Sequence, residues 1–269
     1  SPVDLLWNGG IGTYAKASTE NNQEVGDKAN DALRVNGKQL RCKVIGEGGN
    51  LGFTQLARIE YGMNGGVSLT DFIDNSAGVD CSDHEVNIKI LLNTLDSKTK
   101  LSETKRSKLL HSMTEDVAQL VLANNYRQVQ TIGLANVEME FRNKEYAGLI
   151  SYLEENAGLM RDIEFLPSSE QLEERTAKQQ YLTRPEIATV TSYMKMYLKQ
   201  ADYIDNDYLE NYLFDAFPAK LGKDYRAEIL RHPLRKELVS TQLANFIVNL
   251  LGPSFIYRMV ESTGATAND

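Results

Sequence analysis

Residues 41–61, RCKVIGEGGNLGFTQLARIEY, decide the architecture that we predict for the first third of the chain. A short apolar run, 41–45, is followed by a glycine turn at 46–52 and then by the pattern of a short helix, 54–61. A strand that passes through a glycine turn into a helix is the repeating unit of a parallel α/β sheet. We therefore predict a strand and a helix here, with Phe53, Leu56 and Ile59 on the apolar side of the helix.

The sequence on either side extends this pattern. Residues 3–7 form another apolar run that leads into a glycine turn, and a polar helix is expected over 19–33. Alternation over 67–73 predicts a third strand with one face formed by Val67, Leu69, Asp71 and Ile73. Thirteen of the 19 glycines fall at or before Gly78. About three strands are too few for a covered parallel sheet, so further strands are expected elsewhere.

Helical patterns replace the strands after about residue 80. Two sequences have the form of a capping box, Ser82 with Glu85 and Thr183 with Glu186. Further helices are predicted over 114–129, 208–216, 225–231 and 234–251, and the polar stretch 166–180 is predicted to be a linker. The predicted fold class is therefore mainly α, with a partial α/β portion at the N-terminus and an α-helical C-terminal domain.

Composition excludes several classes of function. The net charge of −8 argues against a nucleic-acid surface, and we find no apolar run long enough for a membrane span. Two cysteines and three scattered histidines give neither a disulfide framework nor a metal-ligand pattern, and a reducing cytoplasm is expected. Because the chain opens without methionine, inside a strand-like run, we expect it to be a fragment of a longer protein.

Three turns could carry a binding site. Gly9 and Gly10 follow a predicted strand, where backbone can approach a ligand, although a tight turn explains them equally well. Asn50 offers an amide to a ribose or carboxamide, or it serves a left-handed turn; Leu51 breaks the GxGxxG pattern that starts at Gly46. Ser82 could bind an anion at a helix N-terminus, or it could cap its own helix.

Taken in chain order, these stretches resemble the large NAD-specific glutamate dehydrogenases of bacteria. The resemblance lies in Asn8-Gly9-Gly10-Ile11-Gly12-Thr13-Tyr14, Gly46-Glu47-Gly48-Gly49-Asn50-Leu51-Gly52 and Asp74-Asn75-Ser76-Ala77-Gly78-Val79-Asp80-Cys81-Ser82-Asp83-His84-Glu85. The tail is also similar at Phe214-Asp215-Ala216-Phe217-Pro218 and His232-Pro233-Leu234-Arg235-Lys236-Glu237. The resemblance covers nearly the whole chain and is densest over residues 1–95.

This resemblance implies specific roles. Gly9 and Gly10 would lie near the dinucleotide, Asn50 would contact the nicotinamide-side ribose, and Asn75 the nicotinamide carboxamide. Ser82 would bind the side-chain carboxylate of glutamate or 2-oxoglutarate. The implied reaction is oxidative deamination of L-glutamate to 2-oxoglutarate and ammonia with NAD as cofactor.

The resemblance also implies what this chain lacks and how it is organised. The catalytic lysine belongs to an earlier part of such enzymes, so no catalytic residue is assigned here and the chain alone is expected to be inactive. Residues 1–90 would be the C-terminal part of a Rossmann-like dinucleotide-binding domain, and 91–269 a helical C-terminal domain. A homo-oligomer is expected for the full-length protein. The alternative is a helical interaction module whose glycine turns bind nothing, in which case the turns would scatter over the surface.

Overall fold

The computed structural model describes residues 2–95, 101–200 and 209–266. The strands are β1 (Leu5–Asn8), β2 (Ala15–Lys16), β3 (Val35–Asn36) and β4 (Val44–Glu47). The helices are α1 (Asn22–Val25), α2 (Gln55–Met63), α3 (Asp71–Asp74), α4 (Ser76–Asn93), α5 (Glu103–Ser112), α6 (Thr114–Ala157), α7 (Arg161–Glu164), α8 (Ser169–Ala177), α9 (Arg184–Lys199), α10 (Glu210–Asp215), α11 (Ala219–Asp224), α12 (Arg226–Leu230), α13 (Arg235–Leu251) and α14 (Phe255–Thr263). The described chain is mostly helical with small parallel sheets, which confirms the prediction of a mainly α protein.

The strand predictions hold for β1 and β4 but not for the third strand. β1 and β4 pair in parallel, from Leu5 beside Val44 to Asn8 beside Glu47. Val67 adds an isolated parallel bridge to Val44, and there the strand-like pairing stops. The predicted strand over 67–73 is wrong beyond this bridge, because the carbonyl of Thr70 accepts the N–H groups of Ile73 and Asp74 and turns the chain into α3.

The predicted helix start at Ser82 is also wrong. α4 begins at Ser76, so Ser82 lies in the second turn of the helix and caps nothing. The small residues of Ser76-Ala77-Gly78, which suggest a turn, form the first turn of the helix instead. Cys81 is exposed on α4.

The predicted linker over 166–180 is wrong, because Ser168 and Gln171 form a capping box that starts α8 and Leu172 is buried beneath it.

Other helices differ from the prediction mainly in length. The polar helix expected over 19–33 is reduced to α1 and a 3₁₀ turn at Lys28–Asn30. The helix predicted over 114–129 continues to Ala157. The capping box at Thr183 and the helices α2, α10, α12 and α13 agree with prediction to within a few residues.

The largest apolar core lies between α6, α9 and α13. Leu69 and Ile73 belong to this core, so the segment that leads into α4 is anchored on the helical body. A smaller core under the sheets contains Ala15, Cys42, Ile45, Phe53, Ala57 and Tyr61. In the described ranges no single helix is long and apolar enough to cross a bilayer; α13 and α14 meet the limits of length and composition only as a pair, across an 86° bend.

Candidate site at the strand ends

Three chain segments meet at the carboxyl ends of β1 and β4, and we call residues 8–12, 46–52 and 74–76 the strand-end rim. The N–H groups of Gly48 and Gly49 donate to the carbonyl of Asn8 at 2.8 and 3.2 Å. The side-chain amide of Asn75 donates to Oδ1 of Asn50 at 3.1 Å. Two predicted site residues that are 25 positions apart in sequence are therefore in direct contact.

Several glycines of the rim have other groups lying against their backbone. A Cβ atom at Gly49 would lie 2.4 Å from the carbonyl oxygen of Gly10, and one at Gly46 or Gly48 would lie 2.6 Å from the ring of Trp7. A side chain at Gly49 would force the first two turns apart, whereas one at Gly46 or Gly48 would displace the exposed ring of Trp7. The left-handed residue of the second turn is Leu51, with φ 58°, and not Asn50 or a glycine.

A buried ionic cluster lies directly beneath the rim. Nε and Nη2 of Arg58 donate to the two carboxylate oxygens of Glu47 at 2.6 and 2.9 Å. Nη2 also lies 3.3 Å from Oδ1 of Asp71. The side chains of Glu47 and Arg58 are 1% and 5% exposed, so the pair is shielded from solvent and held in a two-pronged geometry.

The cluster holds two rim segments in place through hydrogen bonds to backbone. Asp71 accepts the N–H of Leu51 at 2.7 Å, and Asp74 accepts the N–H of Glu47 at 3.0 Å. The first bond fixes the turn that carries Asn50, and the second ties the end of β4 to the residue before Asn75. The cluster therefore sets the separation of the two asparagines.

Burial also changes the acidity of the cluster. Burial raises the pKa of Asp74 to about 6, and the negative charges of Glu47 and Asp71 add to the effect. Burial likewise raises the pKa of the Glu47 carboxyl, although the guanidinium of Arg58 opposes that shift. The rim thus lies over carboxylates whose ionisation is costly, which is common at functional sites.

The first turn is tied to the second by a separate set of bonds. The hydroxyl of Thr13 donates to the carbonyl of Leu51 at 2.7 Å, and the N–H of Tyr14 donates to the carbonyl of Gly52 at 2.8 Å. The N–H of Thr13 donates to Asp27 at 2.8 Å and is the largest cause that lowers the pKa of that carboxyl. These bonds fix the path of the chain immediately after Gly9 and Gly10.

Four of the predicted site residues lie at the strand-end rim, and the fifth, Ser82, lies further along α4. Gly10 lies against Gly49, Asn50 contacts Asn75, and exposed Gly9 borders Trp7 in the first turn. Ser82 does not join this contact. It is exposed on α4 seven residues after Asn75, which places it near the same helix face and about 10 Å further along the axis. The roles assigned to the individual residues stay predictions.

Sequence reasoning missed Arg58, Asp71 and Asp74. Arg58 is buried in α2 together with Ala57 and Ile59, but it does not lie on the side predicted to be apolar, so its burial had no local signal. The positions of Asp71 and Asp74 were hidden by the wrong prediction of a strand. In the described ranges no group of three or more His, Cys, Asp or Glu residues is arranged to hold a metal ion.

A rim of glycines and amides beyond the carboxyl ends of parallel strands is the position at which α/β proteins bind nucleotides and other small ligands. A family model described as bacterial NAD-glutamate dehydrogenase, catalytic domain, matches residues 1–135. A second, described as glutamate dehydrogenase, C-terminal, matches residues 179–269. The chain belongs to the bacterial NAD-glutamate dehydrogenase family.

Curated relatives agree with this assignment. The chain is 52% identical over 271 residues to an NAD-specific glutamate dehydrogenase of Pseudomonas aeruginosa, 48% over 273 to one of Halomonas elongata and 45% over 273 to one of Mycobacterium tuberculosis. These alignments cover 99–100% of the chain but 17% of each relative. The chain therefore corresponds to about a sixth of the length of these relatives.

Proposed function

We propose that this chain forms the nicotinamide-side wall of the active site in an NAD-dependent glutamate dehydrogenase. The complete polypeptide would oxidatively deaminate L-glutamate to 2-oxoglutarate and ammonia. The relatives that the chain matches bear the name NAD-specific glutamate dehydrogenase, which supports this assignment. The groups that move protons during the reaction would lie outside this chain, so we expect the chain alone to form no NADH from glutamate.

One observation carries the proposal: the contact between Asn50 and Asn75, with Gly10 packed on Gly49 beside it. The alternative, an interaction module with unrelated turns, gives no reason for three separate chain segments to meet at the ends of β1 and β4. The rim also offers polar groups to a ligand, because the backbone of Gly9 and Gly10 is exposed and the amides of Asn50 and Asn75 lie in the same rim. A larger residue at Gly49 would collide with the carbonyl oxygen of Gly10 and disrupt the contact between the first two segments.

The side chains divide the binding work between cofactor and substrate. Asn50 would contact the ribose, Asn75 would hold the carboxamide and so orient the nicotinamide ring, and Ser82 would bind the substrate carboxylate further along α4. NAD, when bound, accepts the hydride from the substrate carbon. The contribution of this chain is orientation, since the cluster around Arg58 fixes both asparagines before any ligand arrives.

The larger organisation is part of the same proposal. Residues 1–90 would belong to a Rossmann-like domain whose other strands lie in the rest of the polypeptide. Leu5, Leu6 and Trp7 of β1 are exposed, which supports that completion. Residues 91–269 would form the helical C-terminal domain. The whole protein would lie in the cytoplasm, which agrees with the unpaired state of Cys42 and Cys81.

A homo-oligomer is the remaining part of the proposal. It is supported by a line of exposed apolar side chains on the outer face of α6, formed by Leu122, Tyr126, Leu134, Val137 and Phe141. Solvent-exposed apolar surface of this extent is typical of an interface.

The test is a kinetic comparison in the complete enzyme. Asn75→Ala removes the amide that reaches Asn50 and should raise KM for NAD about tenfold, the effect of one well-placed hydrogen bond. Asn64→Ala is the matched control, because Asn64 is an exposed asparagine that bonds only to its own helix, at the carbonyl of Glu60. The measurement is initial-rate kinetics with NAD as the varied substrate.

Equal KM values for the two variants would contradict the proposed role of Asn75. A rise in KM for glutamate without any change for NAD would move Asn75 from the cofactor to the substrate.

A further inference from the structure

A second cleft lies at the other end of the small sheet from the strand-end rim. It has a volume of about 340 Å³ and forms where the end of α2, the middle of α6 and the start of α9 meet. Val67 in its wall pairs with Val44, the first residue of β4, whereas the rim begins at Gly46, two residues further along that strand. The cleft is therefore separate from the proposed nicotinamide site.

The cleft contains a positive charge without a partner. Arg184 is partly buried in the wall, and its guanidinium has no hydrogen bond or ion pair among the described residues. Its Nη1 lies 3.4 Å from the position of a Cβ atom at Gly133, so the small residue lets it rest against α6. The nearby carboxylate of Glu186 is already bound by Arg175 and Thr183. A partly desolvated cation without a counter-charge favours an anionic ligand.

A buried hydroxyl in the same wall is a second, independent sign of an unfilled site. Ser68 is 3% exposed, lines the cleft, and its Oγ has no hydrogen-bond partner in the described chain. Such groups are rare in folded proteins and are usually satisfied by a ligand or water. The side chains of Asn136 and Tyr181 also line the cleft without a described hydrogen bond, which adds donors around Arg184.

We propose that this cleft binds a small anion that carries a carboxylate or phosphate group. The volume is near the lower end of the range for small-molecule sites, about 300–1,000 Å³, so it suits a compact metabolite rather than a dinucleotide. The planar guanidinium of Arg184 matches either oxyanion with two parallel hydrogen bonds. This inference does not rest on the proposed dehydrogenase activity.

The chain also offers a path from the cleft to the rim. Ser68 is followed by Leu69, Thr70 and then Asp71, all buried, and Asp71 holds the turn of Asn50. The hydroxyl of Thr70, like that of Ser68, has no described partner. An anion that engages this segment should therefore steady the rim as well.

The test is calorimetric titration of this chain with sodium phosphate and, separately, with sodium succinate, at constant ionic strength. We expect saturable binding of at least one anion, weakened about tenfold or more by Arg184→Gln. Arg127→Gln is the matched control, because it removes the same charge from an exposed position on α6 outside the cleft. Arg184→Lys keeps the charge but loses the planar guanidinium that forms two parallel hydrogen bonds, and this variant should bind the anion with intermediate affinity.

Each result has a defined meaning. Binding of phosphate alone, or of succinate alone, identifies which oxyanion the cleft prefers. Absence of saturable binding for both overturns the proposal, as does equal weakening by Arg184→Gln and Arg127→Gln. Bound anion should also slow amide hydrogen exchange over 66–71 and leave α14 unchanged; protection confined to α14 would place the ligand elsewhere and refute the assignment.

Discussion

Arg58 shows how a single side chain can position two asparagines that it does not contact. Its guanidinium binds Glu47 and approaches Asp71, and each of these carboxylate residues is also joined to the rim through a backbone hydrogen bond. Buried ion pairs contribute little compared with an apolar replacement, but removal of one partner leaves an uncompensated charge. The cluster is therefore better explained by positioning than by stability.

Removal of the Arg58 charge should be severe. Arg58→Leu leaves Glu47 and Asp71 buried without a cation, and we expect a loss of about 3–5 kcal/mol in the free energy of unfolding, measured by urea titration. Lys43→Leu is the control, because its ion pair with Asp4 is 79% and 86% exposed and should contribute less than about 1 kcal/mol. A similar, small loss of stability in both variants would show that Glu47 and Asp71 do not depend on the charge of Arg58.

Asp74 should give the protein a pH dependence of defined sign. Its pKa is raised from 3.8 to about 6, so the folded state holds the proton more tightly than the unfolded state. The stabilisation is complete below about pH 4 and is lost as pH rises through about 6. Asp74→Asn keeps the acceptor for the Glu47 N–H but cannot ionise. We expect the variant to match wild type near pH 4 and to exceed it by up to about 3 kcal/mol near pH 7.

Urea titrations at both pH values measure this difference directly. A constant gap between wild type and Asp74→Asn across that range would mean that Asp74 does not titrate within it.

Among the elements, helix starts were predicted with mixed success, since the start at Thr183 is confirmed and the one at Ser82 is wrong. The capping boxes at Thr183 and at the start of α8 each pair residues three positions apart, so their geometry follows from local sequence. The first of them was predicted from the sequence. The second was overlooked because polarity and proline suggested a linker. The strand predicted over 67–73 is wrong for the opposite reason: its apolar alternation does not match burial, because Val67 is exposed whereas Ser68 and Thr70 are buried. Leu69 and Ile73 pack in the helical core, and the chain turns into α3.

The cap of α9 offers a test at this scale. The hydroxyl and the N–H of Thr183 both donate to the buried carboxylate of Glu186. The two residues lie at the start of α9, which packs on α6 and α13. Thr183→Ala should lower the thermal midpoint by an amount that corresponds to about 1–2 kcal/mol. Ser102→Ala removes the cap of α5, which buries no residue, and should cost about 0.5 kcal/mol or less. Equal losses would contradict the view that packing makes the α9 cap important.

At the scale of the whole molecule, the sequence predicts candidate residues of the site, whose roles stay predictions, but not the framework that joins them. Asn50 and Asn75 were recognised by their likeness to a known family, and their contact agrees with that interpretation. The ionic cluster could not be predicted, because its members come from β4, α2 and α3, and one of these elements was misassigned. Long-range contacts of this kind depend on the tertiary fold rather than on local pattern.

The central claim is that Asn50 and Asn75 act together as one cofactor-binding unit. A double-mutant cycle on KM for NAD in the complete enzyme tests it most directly, with Asn50→Ala, Asn75→Ala and the double variant. Because the two amides are 3.1 Å apart, we expect the single effects not to add, with a coupling energy above about 0.5 kcal/mol. Strict additivity, or single variants with an unchanged KM for NAD, would contradict the account.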